Sequence, residues 1–158
     1  ACRFSKNFGL YRERVGVAMM AGHSEKASDS MLSQLLSLAR NSYTMPPDHG
    51  AAIVAAILSY ESLKASWQAE LSHMTQHIQN TRKQLRQALE HRFNRDYSFI
   101  EQHQGMFSML GIDADSVHRL RIQKAIYLLD NGRLNIAGLA PSQIEYFADS
   151  LFAVERMQ

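Results

Sequence analysis

Very little in this sequence could build a disulfide scaffold, a membrane span or a polyelectrolyte. A lone cysteine, Cys2, stands among 158 residues, so no internal disulfide can form, and a reducing intracellular compartment is the expected setting. No apolar run approaches the roughly 20 residues a bilayer needs. The longest candidate, residues 50–58, stops far short. Charge of one sign is also scarce: 17 Lys+Arg against 15 Asp+Glu leaves a net charge of +2. That balance does not by itself point to nucleic acid. No apolar segment follows Ala1–Phe4, so the opening does not read as a signal peptide. It reads as a start in mid-sequence. Proline and glycine are sparse as well, and none occurs between Gly50 and Gly105.

What is present is a globular composition, 46% hydrophobic and 20% charged. Met31, Leu35 and Leu38 share one face of a helix expected over residues 24–41, and Pro46-Pro47 ends it. Asp48 is the expected N-cap of a second helix with an Ile53, Val54, Ile57 and Leu58 stripe. Its alanines, Ala51, Ala52, Ala55 and Ala56, suggest close packing. A third, long helix is expected over residues 61–93. Its stripe is Leu63, Trp67, Leu71, Met74, Ile78, Leu85 and Leu89, broken once at Thr81. The last third alternates. Strands are expected at residues 97–100, 106–110, 126–129 and 134–137, and helices at 114–123 and 142–156. Strands mixed with helices imply an α/β layer.

Arg3, Lys6, Arg12 and Arg14 put four cations within twelve residues, opposed only by Glu13 and mixed with Phe4, Phe8 and Tyr11. A solvated basic edge and an anion site are both open readings. In the second, an arginine fork grips phosphate and a lysine of lowered pKa serves as a nucleophile. Other constellations favour bland readings. His73 and His77, four apart with no third ligand, read as a solvated helix face, and no metal site is assigned. Residues 64–95 carry six Lys/Arg and two acids, with Arg82, Lys83 and Arg86 close together, and also read as a solvated face. Cys2 reads as a buried strand residue and Trp67 as core.

The run Ser5-Lys6-Asn7-Phe8-Gly9-Leu10-Tyr11-Arg12-Glu13-Arg14-Val15-Gly16 resembles the cofactor-lysine motif of the aspartate/aromatic aminotransferase family. Those enzymes use pyridoxal phosphate and have fold type I. The segments around Arg40, Tyr43, Pro46-Pro47 and His49-Gly50, then Gly105-Met106-Phe107-Ser108, then Gly132-Arg133-Leu134-Asn135-Ile136-Ala137-Gly138 resemble further family motifs in the same order. The resemblance implies an α/β chain from the C-terminal part of such an enzyme. Residues 1–73 would end its large domain, and residues 74–158 would form its small domain with most of the long helix.

It further implies that Lys6 bonds the cofactor aldehyde and, once released, moves a proton at the substrate's α carbon. Arg14 holds the cofactor phosphate, Arg133 the substrate α-carboxylate, and Arg40 the side-chain carboxylate in a partner subunit's site. Phe107 lines the substrate pocket. A cytoplasmic homodimer acting on amino acids and 2-oxo acids follows, with no nucleic-acid or membrane partner. Arg3 stands where the family usually has a small hydroxyl residue contacting the phosphate, so it joins the cofactor-binding candidates. Met45 replaces a small polar residue, which turns attention to aromatic substrates as the alternative to aspartate. Asn131 replaces a common serine. Complete members are well over twice as long, so the isolated chain is expected to be inactive. A non-catalytic fragment that keeps the motifs without cofactor is the remaining alternative.

Overall fold

The computed structural model describes residues 1–156. Met157 and Gln158, the end of the expected small domain, lie outside the described residues. The chain divides into two compact units, Ala1–Leu71 and Ser72–Gln158. It is a helix-rich α/β chain in which, among the described residues, the sheet is confined to two antiparallel strand pairs. Among the described residues no helix is long and apolar enough to cross a membrane.

In the first unit β1 (Cys2–Arg3) pairs with β2 (Gly16–Val17), Arg3 opposite Gly16. A Cβ on Gly16 would lie 2.4 Å from the Cys2 carbonyl oxygen, so only glycine allows that approach. Helix α1 (Glu25–Ser42) starts where the Ser24 hydroxyl accepts from the Ala27 N–H and ends short of the proline pair, as the sequence predicts. Its apolar stripe is only partly covered: Met31 and Leu35 are half-buried, Leu38 is exposed, and no residue of α1 is fully buried.

Helix α2 (His49–Ser59) begins at Asp48, but Asp48 has helical dihedrals and makes no side-chain capping bond, contrary to expectation. The alanines are exposed rather than packed. Close packing falls to Gly50 instead, where a Cβ would meet the Glu13 Cβ at 2.8 Å.

Helix α3 (Glu61–Phe93) has the expected bounds and runs from the first unit into the second. In the second unit it buries Thr81, Arg82, Leu85, Ala88 and Leu89. These join α5 (Ala114–Lys124) and α6 (Ile144–Glu155) in one core with Ile100, Val117, Leu120, Phe147 and Leu151. Strands β3 (Phe107–Met109) and β4 (Arg133–Asn135) pair with Ser108 opposite Leu134, turning both of these inward.

Two expected strands are absent. At residues 97–100 the Asp96 carboxylate accepts from the Ser98 N–H (2.7 Å) and hydroxyl (2.9 Å), starting a turn that leads into α4 (Phe99–Gln102). Tyr97 and Ile100 are buried there, Tyr97 before the turn and Ile100 within α4. At residues 126–129, Ala125 closes α5 in the left-handed conformation, and Arg121 takes the Leu128 carbonyl at 3.3 Å, so no ladder forms. The fourth expected strand stops at Asn135, after which residues 136–138 form a 3-10 turn.

Helices α3 and α6 are also tied by charge. Arg92 Nη2 donates to Glu145 at 2.6 Å, and Nε donates to Asp149. The Arg92 hydrogen bond holds the Asp149 carboxyl below the usual carboxylate range, and the Ser98 N–H does the same for Asp96. A carboxyl with a depressed folded pKa stabilises the fold fully above its unfolded pKa. That contribution is lost as the pH falls through the folded value. Acid titration followed by circular dichroism should therefore show stability declining below the ordinary carboxylate range. Asp149→Asn should flatten that limb, and an unchanged acid profile would count against the Arg92–Asp149 tie.

Candidate active site

Between β1 and β2 the chain passes through two turns, residues 5–8 and 11–14. Gly9 takes φ +67° between them, a backbone conformation that suits glycine. Aromatic packing fixes the first turn. Phe8 stacks on Trp67 (centroids 4.5 Å apart), Phe4 meets Phe8 edge-on, and the Trp67 indole N–H donates to the Asn7 carbonyl at 2.7 Å. Trp67 is thus half-buried against the lysine motif rather than central core.

This folding gathers two of the sequence-predicted cations. Lys6 Nζ lies 4.0 Å from the centroid of the Tyr11 ring, and the Arg14 guanidinium lies 5.9 Å from the same centroid. Arg14 Nη1 donates to the Tyr11 carbonyl at 3.2 Å. Arg14 also holds φ +54°, a left-handed conformation that non-glycine residues seldom adopt and that clusters at functional sites. The neighbouring acid does not neutralise either cation, since the Glu13 carboxylate faces His49 Nδ1 at 3.0 Å. Among the described residues neither Lys6 nor Arg14 forms an ion pair. An amine and a guanidinium left without counter-ions suit a ligand that carries an aldehyde and a phosphate. Lys6 is exposed.

The remaining first-unit candidates lie outside residues 5–14. Arg3 is exposed on β1, Arg40 is exposed in the last turn of α1, and Met45 is exposed before the prolines. Cys2, expected to be buried, is exposed.

In the second unit the strand pairing brings together residues far apart in sequence. The Arg133 guanidinium lies 4.6 Å over the Phe107 ring on the outward face of the β3–β4 pair. The approach to Arg133 is shaped locally. Gly132 has φ +72°, and a Cβ there would lie 2.9 Å from Ile112; the Arg133 N–H donates to the Asn131 side chain at 3.2 Å. Arg133 is exposed and, among the described residues, has no carboxylate partner, leaving its fork open to an anion.

The basic run of α3 is not a solvated face. Arg82 is 3% exposed, and Arg86 pairs with Glu90 and Glu101. Sequence reasoning missed Arg82 as a buried group. The available signal was the break at Thr81 in the apolar stripe, because Thr81 and Arg82 fill that gap and both are buried. His73 and His77 are exposed on α3.

A lysine and an arginine thus lie over one ring in the first unit, and a second arginine stands open on the strand pair of the second unit. The chain belongs to the Aminotransferase class I and II family, whose pattern matches residues 4–151. It is 42% identical to the aspartate aminotransferase of Salmonella typhi over 155 residues, 98% of this chain and 39% of that protein. It is 40% identical to an aromatic-amino-acid aminotransferase of Pseudomonas aeruginosa over 151 residues, 95% of this chain and 38% of that protein. Among solved structures it resembles the Burkholderia pseudomallei aromatic-amino-acid aminotransferase covalently bound to pyridoxal phosphate. The TM-score there is 0.88 at 40% identity, covering 96% of this chain and 38% of that one. The chain thus spans about two fifths of the length of the relatives it matches.

Proposed function

We propose that the polypeptide carrying this chain is a pyridoxal-phosphate-dependent aminotransferase that moves an amino group from an L-amino acid to a 2-oxo acid. The observation that supports it most is the convergence of the unpaired Lys6 and Arg14 on Tyr11, inside the family-matched region. When bound, pyridoxal phosphate supplies the electron sink that stabilises a carbanion at the substrate's α carbon. The chain supplies the rest. Lys6 anchors the cofactor and, when free, carries the proton to and from that carbon. Arg14, with Arg3 as a further candidate, balances the phosphate charge. Arg133 clamps the α-carboxylate with its fork, and Phe107 lines the pocket. Arg40 reads a side-chain carboxylate from within a homodimer. The chain covers about 39% of its relatives, so the activity is assigned to the full polypeptide and not to these 158 residues alone. The lone cysteine fits a cytoplasmic setting.

Aspartate with 2-oxoglutarate is the leading pair because Arg40 is present. Aromatic amino acids are the second reading, supported by Met45, whose exposed thioether replaces a polar group. Comparing kcat/KM for aspartate and phenylalanine in the full polypeptide, with 2-oxoglutarate as acceptor, tests both. Aspartate is expected to be preferred. A preference for phenylalanine establishes the second reading. No turnover with either, together with no cofactor absorbance, favours a non-catalytic protein that retains the motifs.

A further inference from the structure

The guanidinium of Arg82 is buried without a counter-ion. It projects from α3 with 3% exposure, and among the described residues no carboxylate lies within ion-pair distance. Burial holds its pKa below the usual arginine value. Its terminal nitrogens are nevertheless fully engaged, by neutral acceptors. Nη1 donates to the Ile100 carbonyl at 2.8 Å and to the Ser108 hydroxyl; Nη2 donates to the Gly105 carbonyl at 2.8 Å and the Phe107 carbonyl at 3.0 Å. A desolvated cation is tolerated when every N–H finds a partner, and the rigid planar fork of arginine can meet two pairs of acceptors at once. An apolar side chain could fill the same space but could not hold four groups in fixed directions.

Of those four groups the Ile100 carbonyl is on α4, and the other three belong to one stretch of chain, residues 105–108. Gly105 turns it in the left-handed conformation at φ +75°, and it then enters β3. Ser108 points inward and is buried at 2% exposure, while Phe107 and Met109 point outward. Arg82 therefore grips β3 from its inner side. On the outer side of the same strand pair lies the Phe107 ring, with the Arg133 guanidinium 4.6 Å above it.

We propose that Arg82 is a positioning residue for the Arg133 carboxylate clamp. By fixing the backbone from Gly105 to Ser108 it sets the Phe107 ring, and the ring sets the direction of the Arg133 fork. Arg82 is not a catalytic residue, because its partners are all backbone and Ser108. The nature of the ligand, a carboxylate, rests on the proposed function; the mechanical coupling does not.

The test uses the full polypeptide with cofactor and the variants Arg82→Lys, Arg82→Met and Ser108→Ala. Lysine keeps the charge and loses the fork, so Arg82→Lys should behave like Arg82→Met. Each should raise the KM for the amino acid, and the dissociation constant of the non-reacting dicarboxylate succinate, by about tenfold to a hundredfold, the scale of a small misplacement in a site. Cofactor absorbance and affinity should not change. Ser108→Ala removes one acceptor and should give a smaller rise; it keeps the test open where Arg82→Met fails to fold. In an Arg133→Met background Arg82→Lys should add nothing further, because its action passes through Arg133. The proposal is overturned by a lowered melting temperature alone, with KM and succinate affinity within about twofold of wild type. Additive effects in the double variant overturn it equally. A wild-type protein that neither transaminates nor binds succinate refutes the proposed function instead. Amide hydrogen exchange over residues 105–110 then decides the coupling: faster exchange in Arg82→Lys supports it, and unchanged exchange refutes it.

Discussion

Replacing Lys6 with alanine is expected to lower transamination by the full polypeptide about ten-thousandfold, the upper range for loss of a positioned general base. Fold stability should scarcely move. Lys6 is exposed, and it contacts the Tyr11 face at 4.0 Å, an arrangement worth about 0.5–1 kcal/mol at exposed sites. Lys6→Arg separates two explanations of such a loss. Arginine keeps the positive charge and can keep the Tyr11 contact, but it cannot release a proton at any ordinary pH. If Lys6 acts as an amine, Lys6→Arg is as inactive as Lys6→Ala; if it acts only as a charge, Lys6→Arg retains activity. Borohydride treatment of the cofactor-loaded wild type should leave a covalent adduct at Lys6, found by peptide mass, and none in either variant. Turnover by Lys6→Ala within about tenfold of wild type would remove Lys6 from its proposed role.

The approach of Lys6 and Arg14 to one ring rests on a local device. Tyr11 lies between them, Gly9 supplies the reversal, and eight residues of chain suffice. Helix bounds were legible for a similar reason: Ser24 and the proline pair act on their immediate neighbours. Errors arose where a side chain competed with the backbone pattern. The run at residues 97–100 has the composition of a strand, but Asp96 satisfies the Ser98 N–H and diverts it into a turn. The run at residues 126–129 has its carbonyl taken by Arg121. The pairing of Phe107 with Arg133 spans 26 residues and depends on the β3–β4 register. Periodicity carries no such long-range information; in the sequence both residues came only through resemblance to a family. Arg82 was hidden for the same reason. A cation on a polar stretch of helix reads as solvated unless its distant carbonyl partners are known.

Arg133→Ala carries the second large effect. Its guanidinium is exposed, rests on Phe107 and, among the described residues, has no carboxylate partner, so its donors remain for a ligand. Truncating one side of a hydrogen-bonded charge pair costs about 2–5 kcal/mol, so kcat/KM should fall about thirtyfold to four-thousandfold. The folded protein loses only an exposed ring contact. The loss should fall equally on aspartate and phenylalanine, because both present an α-carboxylate. That equality distinguishes Arg133 from Arg40: a cation that reads the side-chain carboxylate penalises aspartate alone, so Arg40→Ala should shift the aspartate-to-phenylalanine ratio while Arg133→Ala leaves it unchanged. Arg133→Lys sharpens the argument further. It keeps the charge but presents one nitrogen where the fork presents two, so most of the loss should persist if geometry rather than charge orients the substrate. A ratio that shifts with Arg133→Ala would exchange the two roles. Kinetics of the two variants on both substrates therefore assign each arginine its carboxylate.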